Sequence, residues 1–108
     1  MRKNIVQMEE RIGQIKLELQ GIGPMRPGSL THQYQKPKEK KGGYYQISYT
    51  HQMKSRTEYV RKEMVKLLET QIATFRRFKS LTQEWIDLAI QHSKLSMELA
   101  KNRSKKLP

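Results

Sequence analysis

The stretch VRKEMVKLLETQIATFRRFKSLTQEWIDLAIQHSKLSMELAK, residues 60–101, holds no Pro or Gly, and its reading decides the fold. Within it Val65, Leu68, Ile72 and Phe75 step by three and four residues, and Leu81, Trp85, Leu88, His92, Leu95 and Leu99 step by four and three alternately. Spacing of that kind lines up one continuous seam along an α-helix. Between the two runs Phe75, Phe78 and Leu81 lie three apart, so the heptad loses a residue and the seam overwinds without breaking. A helix of that length extends about 60 Å at about 1.5 Å per residue. Nothing else in the chain is long enough to cover it. Part of the Leu81–Leu99 seam is therefore expected to meet a second molecule, either another copy in a dimer or higher oligomer, or a helical protein partner.

N-terminal to this stretch, Arg2 to Gln20 forms a first helix, because Ile5, Met8, Ile12, Ile15 and Leu19 keep the same three-four alternation. Gly13 interrupts it at a cost of up to about 1 kcal/mol relative to Ala, marking either a close neighbouring backbone or a tolerated surface position. Gly21, Gly23 and Pro24 end the helix, with Gly21 suited to a left-handed cap. Ser29 to Tyr34 is a short strand with Leu30, His32 and Tyr34 on one face, and residues 35–43 form a basic loop. From Tyr44 to Thr50 the chain alternates, Tyr45, Ile47 and Tyr49 on one face and Tyr44, Gln46, Ser48 and Thr50 on the other, as a half-buried strand does. His51, Gln52 and Met53 turn it into a return strand from Lys54 to Val60. Lys54, Arg56 and Glu58 share one face of that strand, and Ser55, Thr57 and Tyr59 the other.

The expected fold is α+β in a single domain: helix 1–20, loop 21–43 with the short strand 29–34, β-hairpin 44–60, long helix 61–101 and a basic tail 102–108. The sheet is two- or three-stranded and antiparallel, and the first helix packs antiparallel on part of the last.

A hydrophobic fraction of 35% and a mean hydropathy of −0.87 are low for a globule of 108 residues, but the apolar residues are ordered along the chain. That combination indicates an extended helical protein. The net charge is +12 and the isoelectric point about 10.1, which favours a polyanionic partner, nucleic acid ahead of an anionic membrane. Cysteine is absent, which excludes disulfides and thiolate metal sites. No apolar run is long enough to span a bilayer, and Glu9, Glu10 and Arg11 interrupt the N-terminus where a secretory signal would be apolar. A cytoplasmic protein without a membrane partner is expected.

His32, His51 and His92 fall in three different elements, and no Cys, Asp or second His stands three or four residues from His92 to complete a metal site. Glu84 and Asp87 read as a solvated helix face. No Gly-rich phosphate loop opens a helix after a strand. No enzyme, no cofactor and no metal are expected.

The basic residues remain. Lys36, Lys38, Lys40 and Lys41 in the loop, Lys54 and Arg56 on the hairpin, and Arg61 and Lys62 at the start of the long helix cluster in sequence beside Tyr44, Tyr45 and Tyr49. Such groups suit phosphates, since Arg forks onto phosphate oxygens and Lys supplies point charge. A two-stranded ribbon also fits the major groove of duplex DNA. The same residues fit a second description, tyrosines as sheet core under a solubilising lysine surface. Lys101, Arg103, Lys105 and Lys106 form a further basic patch in the tail, and Phe75-Arg76-Arg77-Phe78 sets two aromatics on the seam with arginines flanking it.

The motif Gly23-Pro24-Met25-Arg26-Pro27-Gly28-Ser29-Leu30, followed by Tyr34, Lys36-Pro37, Gly43-Tyr44-Tyr45, the strand from Arg56 to Val60 and the Phe75–Phe78 step, resembles a family of short bacterial and archaeal proteins of unknown function. Members often lie among mobile-element genes. The resemblance implies the same order of helix, small sheet and long helix. The family's Cys-rich stretch, which looks like a small metal knuckle, is replaced here by Gln35 to Lys41, so no metal role carries over. The expected function is non-enzymatic nucleic-acid binding, duplex DNA held by its backbone through Lys36, Lys38, Lys40, Lys41, Tyr44, Lys54, Arg56, Arg61 and Lys62. The alternative is a coiled-coil adaptor or assembly subunit docking a protein through its long helix.

Overall fold

The computed structural model describes residues 2–106, with side chains from 4 to 103. Lys105 and Lys106 of the expected basic patch lie outside the described side chains. The elements are α1 (Arg2–Gln20), β1 (Ser29–Lys36), β2 (Lys41–His51), β3 (Lys54–Val60), a 3₁₀ turn (Lys62–Met64) and α2 (Val65–Lys106). The expected α+β order holds, with three antiparallel strands in the order β1-β2-β3. The long helix starts four residues later than expected, after the 3₁₀ turn, and its backbone stays helical through 102–106, where a tail was expected. Among the described residues no helix is long and apolar enough to cross a membrane.

The chain forms two compact units, one of residues 23–77 and one of the residues up to Ile22 together with those from Phe78 onward. The boundary at Arg77–Phe78 coincides with the three-residue steps at which the seam loses a residue.

In the sheet unit, β1 and β2 pair with Leu30 opposite Ile47 and His32 opposite Tyr45, and β2 and β3 pair with Tyr45 opposite Val60 and Ile47 opposite Glu58. One sheet face therefore carries Leu30, Tyr45, Ile47 and Val60. These pack with Ile72, Val65 and Leu68 of α2 around a core in which Ile47, Val60 and Ile72 are buried. The loop before β1 is shaped by that core. Gly28 has φ +142°, and a Cβ there would sit 2.8 Å from Ile47 Cγ1, so only glycine lets the loop lie on the isoleucine. Two residues earlier the Arg26 N–H donates to the Gln71 carbonyl at 3.0 Å, tying the loop to α2.

The β2–β3 connection is tighter than the sequence suggested. His51 pairs with Lys54, which leaves a two-residue turn of Gln52 and Met53 with φ of 52° and 64°. Positive φ at both central positions is the type I′ pattern that usually selects Asn-Gly. Met53 is fully exposed at its tip.

In the helical unit α1 runs antiparallel to the second half of α2, with Lys16 beside Trp85 and Glu9 beside His92. Ile15 and Leu81 are buried, and Trp85, Leu88, His92, Leu95 and Leu99 are half-buried at the expected spacing. The expectation that the first helix leaves much of this seam bare is revised: α1 lies along it at least from Trp85 to His92, and the first half of the α2 seam has the sheet as its cover. Glu84, read as solvated, accepts both Nε and Nη2 of Arg11, at 2.6 and 2.8 Å. That pair holds the Glu84 carboxyl below the usual carboxylate range and raises the Arg11 guanidinium. Gly13 is not a backbone contact point, since a Cβ there would meet nothing within 4 Å. Gly21 does not take a left-handed conformation. The helix closes instead with Gly21 and Ile22 N–H groups donating to the carbonyls of Glu18 and Leu19, each at 3.2 Å.

Candidate nucleic-acid interface

Because β3 ends opposite Tyr45 while β2 begins at Lys41, the first residues of β2 pair with β1 alone. Two-stranded ribbons therefore extend past both ends of the three-stranded part: β2 and β3 pair alone from Tyr49 to His51, as the expected hairpin, and β1 and β2 pair alone from Lys41 to Tyr44, as a second ribbon. At the ribbon's end Lys36 stands directly opposite Lys41, with Lys38 and Lys40 in the turn between them. Like charges facing across a strand pair repel. Their one acidic neighbour in the turn, Glu39, approaches Lys41 only to 4.0 Å, on side chains more than half exposed.

The structure divides the basic residues that the sequence grouped together. Lys54 and Arg56 pair with His51 and Tyr49, at the opposite end of β2 from Lys41. At about 3.3 Å per residue the two ends lie about 30 Å apart. Arg61 and Lys62, by contrast, follow Val60 toward the lysine tip. Their departure from the sheet opens a cleft of about 180 Å³ on the vacated edge of β2, lined by His32, Gly43, Tyr44, Tyr45, Tyr59, Val60 and Lys62. His32 stacks on Tyr45 at a centroid distance of 4.5 Å and an interplanar angle of 11°, which brings its Nε2 to 2.8 Å from where a Cβ on Gly43 would be. The glycine of Gly43-Tyr44-Tyr45 thus makes room for that ring.

Arg56 lies on the same sheet face as the core, beside a polar cluster that the sequence did not reveal. Arg26 donates to Glu58 Oε2 at 3.0 Å and stacks its guanidinium over the Tyr49 ring, 4.7 Å from the centroid. The Tyr49 hydroxyl donates to Glu58 Oε1 at 2.7 Å. Glu58 is held below the usual carboxylate range first by the Tyr49 hydroxyl and then by Arg26, and the Tyr49 phenol is raised by the carboxylate it donates to. Arg26 is thereby committed to holding the loop on the sheet. Only its place in the Gly23–Leu30 motif could have hinted at a role.

The other sheet face is different in kind. Its outward side chains include Ser29, Thr31, Gln33 and Gln35 on β1, Tyr44, Gln46, Ser48 and Thr50 on β2, and Ser55, Thr57 and Tyr59 on β3, none of them charged. Ser48 meets Thr57 and Thr50 meets Ser55 through hydroxyl pairs at 3.2 Å, near the Gln52–Met53 turn. Tyr59 is 70% exposed. The sequence alternation had already separated Tyr59 from Lys54 and Arg56 but not singled it out.

Among the described residues no group of three or more His, Cys, Asp or Glu side chains could hold a metal ion. The His92 Nε2–H donates to Glu9 Oε1 at 3.0 Å, on the helical seam. No protein-family model matches the chain, and no curated protein or solved structure is similar to it.

Proposed function

We propose that this protein binds nucleic acid without catalysing a reaction on it, and that the β1–β2 tip grips the phosphates. The observation that carries the reading is the register that sets Lys36 opposite Lys41 with Lys38 and Lys40 between. Four ammonium groups held at one hairpin end repel one another until an anion lies among them. Around that tip the sheet unit holds twelve Lys and Arg against four Glu, a net of +8, whereas the helical unit holds ten against six, a net of +4. Arg61 and Lys62 continue the positive surface toward the cleft, and Lys54 and Arg56 supply a second contact about 30 Å away along β2. A mobile-element setting, as the family resemblance implies, suits a protein that handles polynucleotides.

Binding through phosphates releases counterions, so log K falls linearly with log salt. With about four contacts, affinity for a fluorescein-labelled oligonucleotide drops at least tenfold between about 50 and 200 mM salt. Lys38→Gln with Lys40→Gln flattens the slope by about one to two, while Lys94→Ala leaves it unchanged. Lys54→Ala with Arg56→Ala flattens it only for strands long enough to reach both ends of β2, about ten base pairs for a duplex at about 3.4 Å per step. No measurable binding of the wild type to DNA or RNA at low salt overturns the proposal.

A second reading rests on the helical unit. Ile86, Ile90 and Met97 of α2 are 52%, 51% and 66% exposed at steps of four and seven, and Val6 and Leu17 of α1 are 50% and 68% exposed. An outward apolar stripe fits a helical partner or a second copy. Sedimentation equilibrium at micromolar concentration tests the second copy: a dimer that Ile86→Asp with Ile90→Asp converts to monomer supports it, and a monomeric wild type removes it.

A further inference from the structure

We infer that the uncharged sheet face beside the lysine tip is a stacking platform for unpaired nucleotides, with Tyr44 and Tyr59 as the rings on which bases lie and Lys62 beside them for a phosphate. The inference rests on the nucleic-acid reading above and adds which form of nucleic acid the site takes.

Tyr59 stands opposite Gln46, two residues along β2 from Tyr44. The two tyrosines are therefore diagonal neighbours on one face, about 7–8 Å apart at the backbone. Tyr59 is 70% exposed, and Tyr44 half-buried, so neither ring is consumed by the core, which lies on the opposite face. Both line the cleft left where β3 departs, and Lys62 lines it with them. Gln33 stands directly opposite Tyr44, and Gln46 directly opposite Tyr59, so each ring has a side-chain amide next to it that can both donate and accept.

A face of this composition is poorly suited to a duplex. Its outward strand residues include no cation to meet a phosphate, and the bases of a duplex already stack on one another and hide their faces. An unpaired strand offers what the face can use: π surfaces for the tyrosines and free base edges for the amides. Cations stand next to this floor for the backbone of such a strand, at the lysine tip beyond Tyr44 and at Lys62 in the cleft. Charge complementarity thus selects a polyanion, and the neutral aromatic floor beside the cations selects one with exposed bases.

The test compares three labelled probes of equal length in the full-length protein: a single-stranded oligothymidine, its duplex with oligoadenine, and a strand of the same phosphates whose central nucleotides are abasic. Wild type is expected to bind the single strand at least tenfold more tightly than the abasic strand. Tyr59→Leu is expected to weaken single-strand binding at least fivefold while leaving the salt slope and the affinity for the abasic strand unchanged, because stacking releases no counterions. Tyr59→Phe should retain wild-type affinity. Tyr44→Leu should act in the same direction, and because Tyr59 is so exposed its variants report even if Tyr44→Leu impairs folding. Equal affinity for the normal and abasic strands, preference for the duplex, or no effect of Tyr59→Leu overturns the platform while the phosphate reading stands. Absence of binding to all three probes at low salt overturns both, and leaves the uncharged face to a protein partner.

Discussion

In the helical unit carboxylates meet hydrogen-bonding partners across the seam, Glu84 with Arg11 and Glu9 with His92, whereas at the sheet tip like faces like, Lys36 opposite Lys41. The sheet unit is not short of the means to neutralise charge, since Glu58 receives both Arg26 and the Tyr49 hydroxyl. It uses that carboxylate to fasten a loop and leaves the tip's four lysines with Glu39 as the one carboxylate in the turn. The contrast teaches that an excess of positive charge along the sequence hides two different uses of it. One unit uses charge to fix geometry, and the other displays it.

The largest effect that would sharpen this comparison is in the sheet core. Ile47 is 1% exposed and packs against Val60, Ile72 and the loop at Gly28, so Ile47→Ala should cost about 2–5 kcal/mol by urea unfolding. Amide exchange should accelerate across β1 to β3 while α1 keeps its protection. Equal loss of protection in α1 would show that the two units unfold as one.

Next in size is the β2–β3 turn, where Gln52 and Met53 both hold positive φ. Non-glycine residues pay for that conformation, so Gln52→Asn with Met53→Gly should raise stability by about 1–2 kcal/mol. A thermal melt showing no gain would mean that the turn is not strained.

Gly13→Ala should stabilise by about 0.5–1 kcal/mol, because the helix gains a better helix former and the new methyl meets open space. If the substitution instead destabilises the protein or dissociates an oligomer, another helix packs at Gly13, and the helical unit is an assembly surface rather than a finished hairpin.

The smallest effect is in acid. Glu58 and Glu84 both have carboxyls depressed from 4.5, the first by Tyr49 and Arg26 and the second by Arg11. Their stabilising contribution is complete above the unfolded value and is lost as pH falls below about 4.5 through the folded values. Because the pairs are solvent-exposed, the drop in urea midpoint from pH 5 to pH 3 should be modest, and Glu84→Gln should reduce it. An undiminished drop in that variant would place the acid sensitivity elsewhere.

The two helices and the alternation of β2 and β3 were legible in the sequence because they depend on local geometry. A residue every three or four positions lies on one side of a helix whatever surrounds it, and alternate residues point to opposite faces of a strand. Leu81, Trp85, Leu88, His92, Leu95 and Leu99 are accordingly among the more buried residues of α2, and Ile47 is buried where the alternation put it. What tertiary structure alone decided is which distant groups meet. Arg11 finds Glu84 across 73 residues and Arg26 finds Glu58 across 32, and no period connects such pairs. The basic residues separate for the same reason: Lys41 and Lys54 are near in sequence, but β2 carries the chain from one end of the sheet to the other between them. The Tyr44–Tyr59 platform follows from register. Pairing Tyr59 with Gln46 makes it the diagonal neighbour of Tyr44, and a shift of one residue would have turned it into the core.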